Sequence, residues 1–412
     1  MENKFFQDNN PKRQKLIKPL PETDGFEVAE TAALIDDSDM TGKKPMKFKM
    51  SRADVETYIK SVDQLKACLL TALQLELSTI PPYLCGLYTI KEGSNAEAAA
   101  LIRSVVVEEM LHMILVANIL NAITDPATIK PGDKLFDVEK LIPVYPTPLP
   151  GHIVPEVPKG QPPFQVQLLK FSPEALDEFM TIERPSNPEA PITDPKSFDS
   201  IGQFYQAIRF GLKHMNEATP GGIFKGDPSR QVTPEHYYGS GGKIVKVTSY
   251  EDAEDAIDEI VGQGEGIDGT IATDYVMFGE GIEYAHYFKF QEISYGRMYS
   301  ANDTNFQMPV KSVPSGRAFP VSWSSVYNMK PNPQMKDYKN NPELYAKAFD
   351  FNKTYVALLN NINDAVSGDP GQLIKGITVM YDLKYKALEL LNIPLNDGSG
   401  MCAGPTFEFV KV

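Results

Sequence analysis

A mainly α-helical chain built on a four-helix bundle is predicted by three observations. Two Glu-x-x-His pairs, Glu109/His112 and Glu283/His286, each fall on an otherwise apolar helical stripe. A lone glutamate, Glu76, sits the same way among apolar neighbours upstream of the first pair. A long proline-rich stretch, residues 125–171, cannot be helical and reads as a crossover loop between helices.

The elements follow in order. Residues 1–50 are polar and aperiodic, with an acidic patch over 36–39, and read as a poorly ordered lead. A helix is expected from about residue 51 to 79, stopped or kinked at Pro81 and Pro82, because proline lacks a backbone donor and crowds the preceding turn. It places Leu65, Leu69, Ala72, Glu76, Ile80 and Tyr83 on one face. A second helix over about 95–123 carries Ala98, Ile102, Val105, Glu109, His112, Val116 and Ile119 on one face. The short connection makes the two helices antiparallel neighbours. After the crossover loop, a short helix over 173–184 sets Leu176, Phe179 and Glu183 on one side, and another spans about 198–215.

Glycine pairs and the alternating run 243–248 read as a small strand or hairpin. A helix over 250–261 then leads into a glycine-rich loop, 262–269, and a long helix bearing Glu283 and His286 beside Tyr275, Gly279, Ile282, Phe290 and Ile293. The loop contains a formal G-x-G-x-x-G match at Gly264, Gly266 and Gly269, but a helix rather than a strand precedes it, so it reads as a tight entry to the next helix and not as a dinucleotide site. Beyond Pro309 come loop residues and then helices over 342–366 and 371–391. Their stripes, Leu358, Leu359, Ile362 and Leu373, Ile377, Met380, need cover. The expected organisation is a lead (1–50), a metal-binding bundle (51–330) and a C-terminal helical extension packed on it (331–412).

Residues three apart on a helix lie one above the other, so the carboxylate and imidazole of Glu-x-x-His converge on one ion. Burying a charged carboxylate in an apolar stripe is costly unless a cation compensates. One isolated Glu-x-x-His is more often a solvated helix face. Two on apolar faces, with a lone glutamate upstream and only five histidines in the chain, point to metal. A single-Glu helix followed by a Glu-x-x-His helix is half of the ligand set of ferritin-like bundles, and Glu283/His286 adds a further quarter. The predicted fold is therefore a ferritin-like four-helix bundle with a long Pro-rich crossover loop, a small β-hairpin insertion and a C-terminal helical extension. His152, His214 and His236 lie in different settings and read as structural or exposed, and Glu108 is expected to face away from the ions.

Composition bounds the partners. A net charge of −14, without basic stripes beyond the cluster at 12–18, argues against nucleic acid and anionic membrane. No apolar run follows Met1 and none approaches a membrane span, so a cytoplasmic location is the expectation. Cys68, Cys85 and Cys402 show no C-x-x-C or paired spacing, which disfavours a disulfide framework or a zinc cage. Carboxylates with imidazoles and no thiolate suit iron or manganese.

Ordered local strings carry a resemblance across roughly residues 55–410. They are Leu75-Glu76 with Ile80-Pro81-Pro82-Tyr83-Leu84, Glu108-Glu109-Met110-Leu111-His112, Tyr145-Pro146 with Leu149-Pro150-Gly151, and Phe179 with Ile182-Glu183-Arg184-Pro185. Ile201-Gly202-Gln203-Phe204-Tyr205, Gln263-Gly264-Glu265-Gly266, Ala285-His286-Tyr287 and Gly404-Pro405-Thr406-Phe407 follow. The chain in these parts resembles the ferritin-like domain of iminophenyl-pyruvate dimer synthases, the enzymes of violacein- and rebeccamycin-type bisindole pathways. The resemblance implies a ferritin-like fold, iron, and oxidative chemistry on a small amino-acid-derived substrate such as an imino acid. It also implies a carboxylate at the position of Gln203; a neutral amide is a weaker ligand for a hard cation, so either that position is not a ligand or the second metal position is loosened. Glu183 is the preferred replacement, with a helix-terminal glutamate paired to Arg184 or a lysine as its alternative reading.

The expected metal set is Glu76, Glu109, His112, Glu183, Glu283 and His286, holding two iron ions, with one ion or manganese as alternatives. The expected partners are a small-molecule substrate and dioxygen or peroxide. Tyr83, Tyr284 and Tyr287 are near enough in sequence to shape a pocket, with core packing as their plainer role. A ferritin-like metal-binding or storage protein without an organic substrate is the alternative function.

Overall fold

The computed structural model describes residues 59–185, 197–237, 241–265, 284–303 and 313–411. Two long helices form its backbone. Helix α1 (Val62–Thr89) starts where Ser61, in extended conformation, accepts the Gln64 N–H, so the described helix begins later than the predicted residue 51. It continues through Pro81 and Pro82 and is not stopped there. Proline's fixed φ is itself helical, and what is lost is an N–H donor. The carbonyl of Ser78, which Pro82 cannot serve, accepts instead from the Tyr145 hydroxyl at 2.8 Å. The crossover loop thus supplies the missing donor. Helix α2 (Ala96–Ala122) matches its predicted span and lies antiparallel to α1, with Glu76 facing His112 and Thr79 facing Glu109.

The other two walls of the bundle are each made from a pair of helices in series. On the third, α4 (Pro173–Ile182) covers the C-terminal half of α1, where Phe179 packs against Tyr83 and Gly86. Helix α5 (Ile201–Ala218) continues down the N-terminal half, with Tyr205 reaching Glu76 and Gly211 against Ile59 and Leu65. On the fourth, α6 (Tyr250–Glu265) pairs with α5 through the buried Arg209, which contacts Glu254 and Asp258. Helix α7 (His286–Tyr295) pairs with α4 through Phe290 and Phe179. Both broken walls change helix at the level of Glu76, Glu109 and His112. Between α2 and α4 the loop contains one short α-helix, α3 (Val138–Leu141), and two three-residue 3-10 helices, Pro126–Thr128 and Pro150–His152.

The expected hairpin at 243–248 does not form; among the described residues there are isolated bridges but no sheet. The segment is extended, but side chains take its backbone partners. Asn118 donates to the Val245 carbonyl, Gln231 donates to the Val247 carbonyl and accepts the Val247 N–H, and Glu259 accepts the Lys243 N–H. Ile244, Val245 and Val247 are all buried, so the apolar residues of this run mark burial and not a paired strand. Helix α6 also reaches Glu265, so Gly262 and Gly264, placed in a loop by the sequence, lie inside it; the G-x-G-x-x-G match begins within a helix.

The C-terminal pair α8 (Pro342–Val366) and α9 (Leu373–Leu391) is antiparallel, cross-linked by Lys386–Asp350 at 2.8 Å and Lys347–Glu389 at 3.2 Å. It is tied to the bundle where Asn121 donates to the Val366 carbonyl at 2.8 Å. The buried face of α9 is Gly376, Leu383, Ala387 and Leu390 rather than the predicted Leu373, Ile377 and Met380, which are half-buried. A β-carbon at Gly376 would stand 3.3 Å from Leu358, so the absence of a side chain sets which face approaches α8. Phe407 closes this layer edge-on between Phe351 and Tyr355. No described helix is long and apolar enough to cross a membrane.

Candidate metal centre

Five of the six predicted ligands converge at the level where the outer walls break. Glu76, Glu109 and His112 form one buried group able to hold an ion, and Glu109, Glu183 and His286 form another, so Glu109 belongs to both. Glu76 and Glu109 are placed by α1 and α2, and His112 stands one turn beyond Glu109 as its i,i+3 spacing requires. Glu183 is the C-terminal cap of α4 and His286 the first residue of α7. Glu283 lies outside the described residues. Ala285, in extended conformation, precedes the helix that His286 begins.

The imidazoles present the same atom to the centre. His112 Nδ1 lies 3.4 Å from Glu76 Oε2 and 3.9 Å from Glu109 Oε2. His286 Nδ1 lies 2.9 Å from Glu109 Oε1 and 3.4 Å from Glu183 Oε2. The two rings stack 5.5 Å apart. Around them, donors orient each carboxylate. Tyr205 donates to Glu76 Oε1, Thr79 donates to Glu109 Oε2 at 2.9 Å, and Tyr83 donates to Glu183 Oε1 at 2.5 Å. Behind the imidazoles, His112 Nε2 meets Gln263 Oε1 at 2.9 Å, and His286 Nε2 stands 2.9 Å from Glu108 Oε2. Glu108 is held in turn by Lys289 at 2.7 and 2.8 Å.

The electrostatics describe a centre short of positive charge. Burial, then the neighbouring Glu183, push the Glu109 carboxyl up to about 8. Burial disfavours the charged Glu76 as well, but the His112 and Tyr205 contacts outweigh it and hold its carboxyl below the ordinary value. Burial would lower both histidines, yet Glu76 and Glu109 raise His112, and Glu183 with Glu108 and Glu109 raises His286 far more. Burial also penalises the Glu108 carboxylate, but Lys289 and His286 prevail and lower it. The fully buried ring nitrogens of His286 make no hydrogen bond of proper angle despite their close carboxylates. Clustered carboxylates that must take up a proton, beside an orphaned Nδ1, fit a cation between them.

Several expectations need adjusting against this geometry. Gln203 is buried on α5 but stands outside both groups, its Oε1 accepting the Asp199 N–H at 2.8 Å. Glu183 sits within the second group. Glu108 stands outside both groups and is buried against the back of His286. Tyr83 is both core and donor to Glu183, whereas Tyr284 and Tyr287 pack into a separate cluster with Phe288 and Tyr299. His152, His214 and His236 belong to neither group. All three cysteines are free, with Cys85 buried. Sequence reading missed Thr79, Tyr205, Gln263 and Lys289. Tyr205 and Gln263 stand in strings already singled out, and a lysine between Phe288 and Phe290 was a visible anomaly, but only folding shows what each meets.

Residues 69–295 match the ferritin-like family, more than half of the chain, and the protein belongs to it. A solved ferritin-like protein from Caulobacter vibrioides is similar in fold, with a TM-score of 0.51 and 22% identity over 80% of this chain and 94% of that one. No curated protein matches the chain.

Proposed function

We propose that the chain is a non-haem di-iron oxidase or oxygenase acting on a small amino-acid-derived substrate, with dioxygen or peroxide as co-substrate. The observation that carries this reading is Glu109, shared between two buried three-residue groups. Glu76, Glu109 and His112 would hold one ion, and Glu109, Glu183 and His286 the other, with Glu283 proposed as a further ligand of the second half. Carboxylate and imidazole donors favour iron, and manganese suits the same set. When bound, the ions supply redox chemistry toward dioxygen or peroxide. The protein's own groups orient and enclose: Thr79, Tyr83 and Tyr205 hold the carboxylate oxygens, and the rings of Tyr83, Phe179 and Phe290 exclude water beside Glu183.

The substrate class rests on the resemblance to the imino-acid-coupling synthases. A surface cleft of about 340 Å³, lined by Met180, Tyr287, Gln291, Ser294 and Tyr295, lies on α4 and α7, the two helices whose ends carry Glu183 and His286. The ring wall beside Glu183 favours a second reading, metal handling without an organic substrate, because it closes that side of the centre. Metal analysis tests the centre itself: purified protein loaded with iron should hold about two ions per chain. Glu109→Ala should lose both, and an unchanged iron content in that variant would sink the proposal. Dioxygen uptake accelerated by an aromatic imino acid separates the enzyme from the metal-handling protein.

A further inference from the structure

The two halves of the centre are alike in their inner groups and unlike in what stands behind them. Each has a terminal glutamate steadied by a tyrosine, Tyr205 on Glu76 and Tyr83 on Glu183, and each has a histidine facing inward by Nδ1. Behind His112 stands a neutral amide, Gln263, which also donates to the Gly241 carbonyl at 2.7 Å and to Glu259 at 2.9 Å. Behind His286 stands a carboxylate, Glu108, gripped on both oxygens by Lys289. Gln263, Glu259, Glu108 and Lys289 are all at least nine-tenths buried, so water does not even out the difference.

Glu108 stands behind His286 as a charge at 2.9 Å from Nε2, and a carboxylate charge that close raises an imidazole's basicity toward a metal more than an amide oxygen does. We infer that Glu108 is a positioning residue that makes the two metal positions unequal, so that the position of Glu109, Glu183 and His286 fills first and more tightly than that of Glu76, Glu109 and His112. The inference rests on the metal-centre reading above and adds to it an order of loading. Glu108 acts from α2 on a ligand of α7, so the residue next to the shared Glu109 governs the opposite wall. Lys289, on α7, keeps that carboxylate oriented.

Cobalt(II) titration of ion-free protein, followed by calorimetry and by the visible absorption of the bound ion, tests this. Wild type should show two resolved binding steps. His286→Ala should remove the tighter step, and His112→Ala the weaker. Glu108→Gln should weaken the tighter step by roughly 10- to 100-fold, the usual cost of removing such a partner, and leave the other nearly unchanged. Because Glu108→Gln leaves Lys289 buried without its carboxylate, Glu108→Gln/Lys289→Met is titrated beside it and should give the same loss. Gln263→Ala should affect only the weaker step. Two indistinguishable steps in wild type, a single ion bound, or equal weakening of both steps by the Glu108 variants would overturn the inference. Failure of wild type to bind cobalt(II) or iron(II) at all would instead overturn the metal-centre reading.

Discussion

At the scale of single residues, burial without a compensating charge is what makes a carboxyl informative. Glu178 on α4 is outside the centre, accepts the Gln167 N–H at 2.7 Å, and is pushed up to about 8 by burial. The folded protein therefore holds a proton on Glu178 that the unfolded chain releases near its ordinary value of 4.5. Stability from this group is present below that value and is lost as pH rises through about 8, with a slope of at most about 1.4 kcal/mol per pH unit. Urea unfolding between pH 5 and 8 should show this decline in wild type and a flatter one in Glu178→Gln, which keeps an acceptor for Gln167. Parallel curves for the two proteins would contradict the assignment. The same scale shows what sequence could hold of the site. Glu76, Glu109, His112 and His286 announced themselves because a charged or imidazole side chain on an apolar stripe needs a reason. Thr79, Tyr205 and Gln263 did not, since a hydroxyl or amide on a helix is ordinary until its partner is known.

At the scale of elements, the informative failures concern backbone groups. The double proline should have ended α1, and it did not, because Tyr145 comes from the crossover loop to serve the Ser78 carbonyl. Tyr145→Phe should cost roughly 1–3 kcal/mol of unfolding free energy, since it leaves that carbonyl buried without a donor. The loss is measured by denaturant titration, and a change below a few tenths would show that the helix tolerates its proline gap unaided. The run at 243–248 carries the period of a strand but has amide side chains of Asn118 and Gln231 where a partner strand would lie. Apolar residues such as Ile244, Val245 and Val247 report burial, not what pairs with the backbone. Antiparallel pairing of α1 with α2, by contrast, was legible from the short connection and the matched stripes.

At the scale of the whole molecule, two continuous helices carry one half of the centre, and two interrupted walls bring the other half to it at their breaks. Clustered carboxylates tie four walls together only when their charge is balanced, so on the proposed function metal and folding would be linked. An ion that binds the folded chain alone stabilises it by about 2.7 kcal/mol at a hundredfold excess over its dissociation constant. Chelator treatment should thus lower the melting temperature of iron-loaded protein by scanning calorimetry, and Glu109→Ala should melt at one temperature with or without chelator. A chelator effect that survives Glu109→Ala would place the stabilising ion elsewhere.

The helical class, the antiparallel first pair and the residue types of a carboxylate–imidazole centre were determined by the sequence alone, because helical period and the cost of burying charge are local properties of a stripe. Which groups stand close enough to share an ion, that Glu109 belongs to both, that His286 begins its helix, and that Glu108 backs His286 while Gln263 backs His112 were decided only by the tertiary structure. These are contacts between walls far apart in the chain, and no local pattern records the neighbour a side chain will meet.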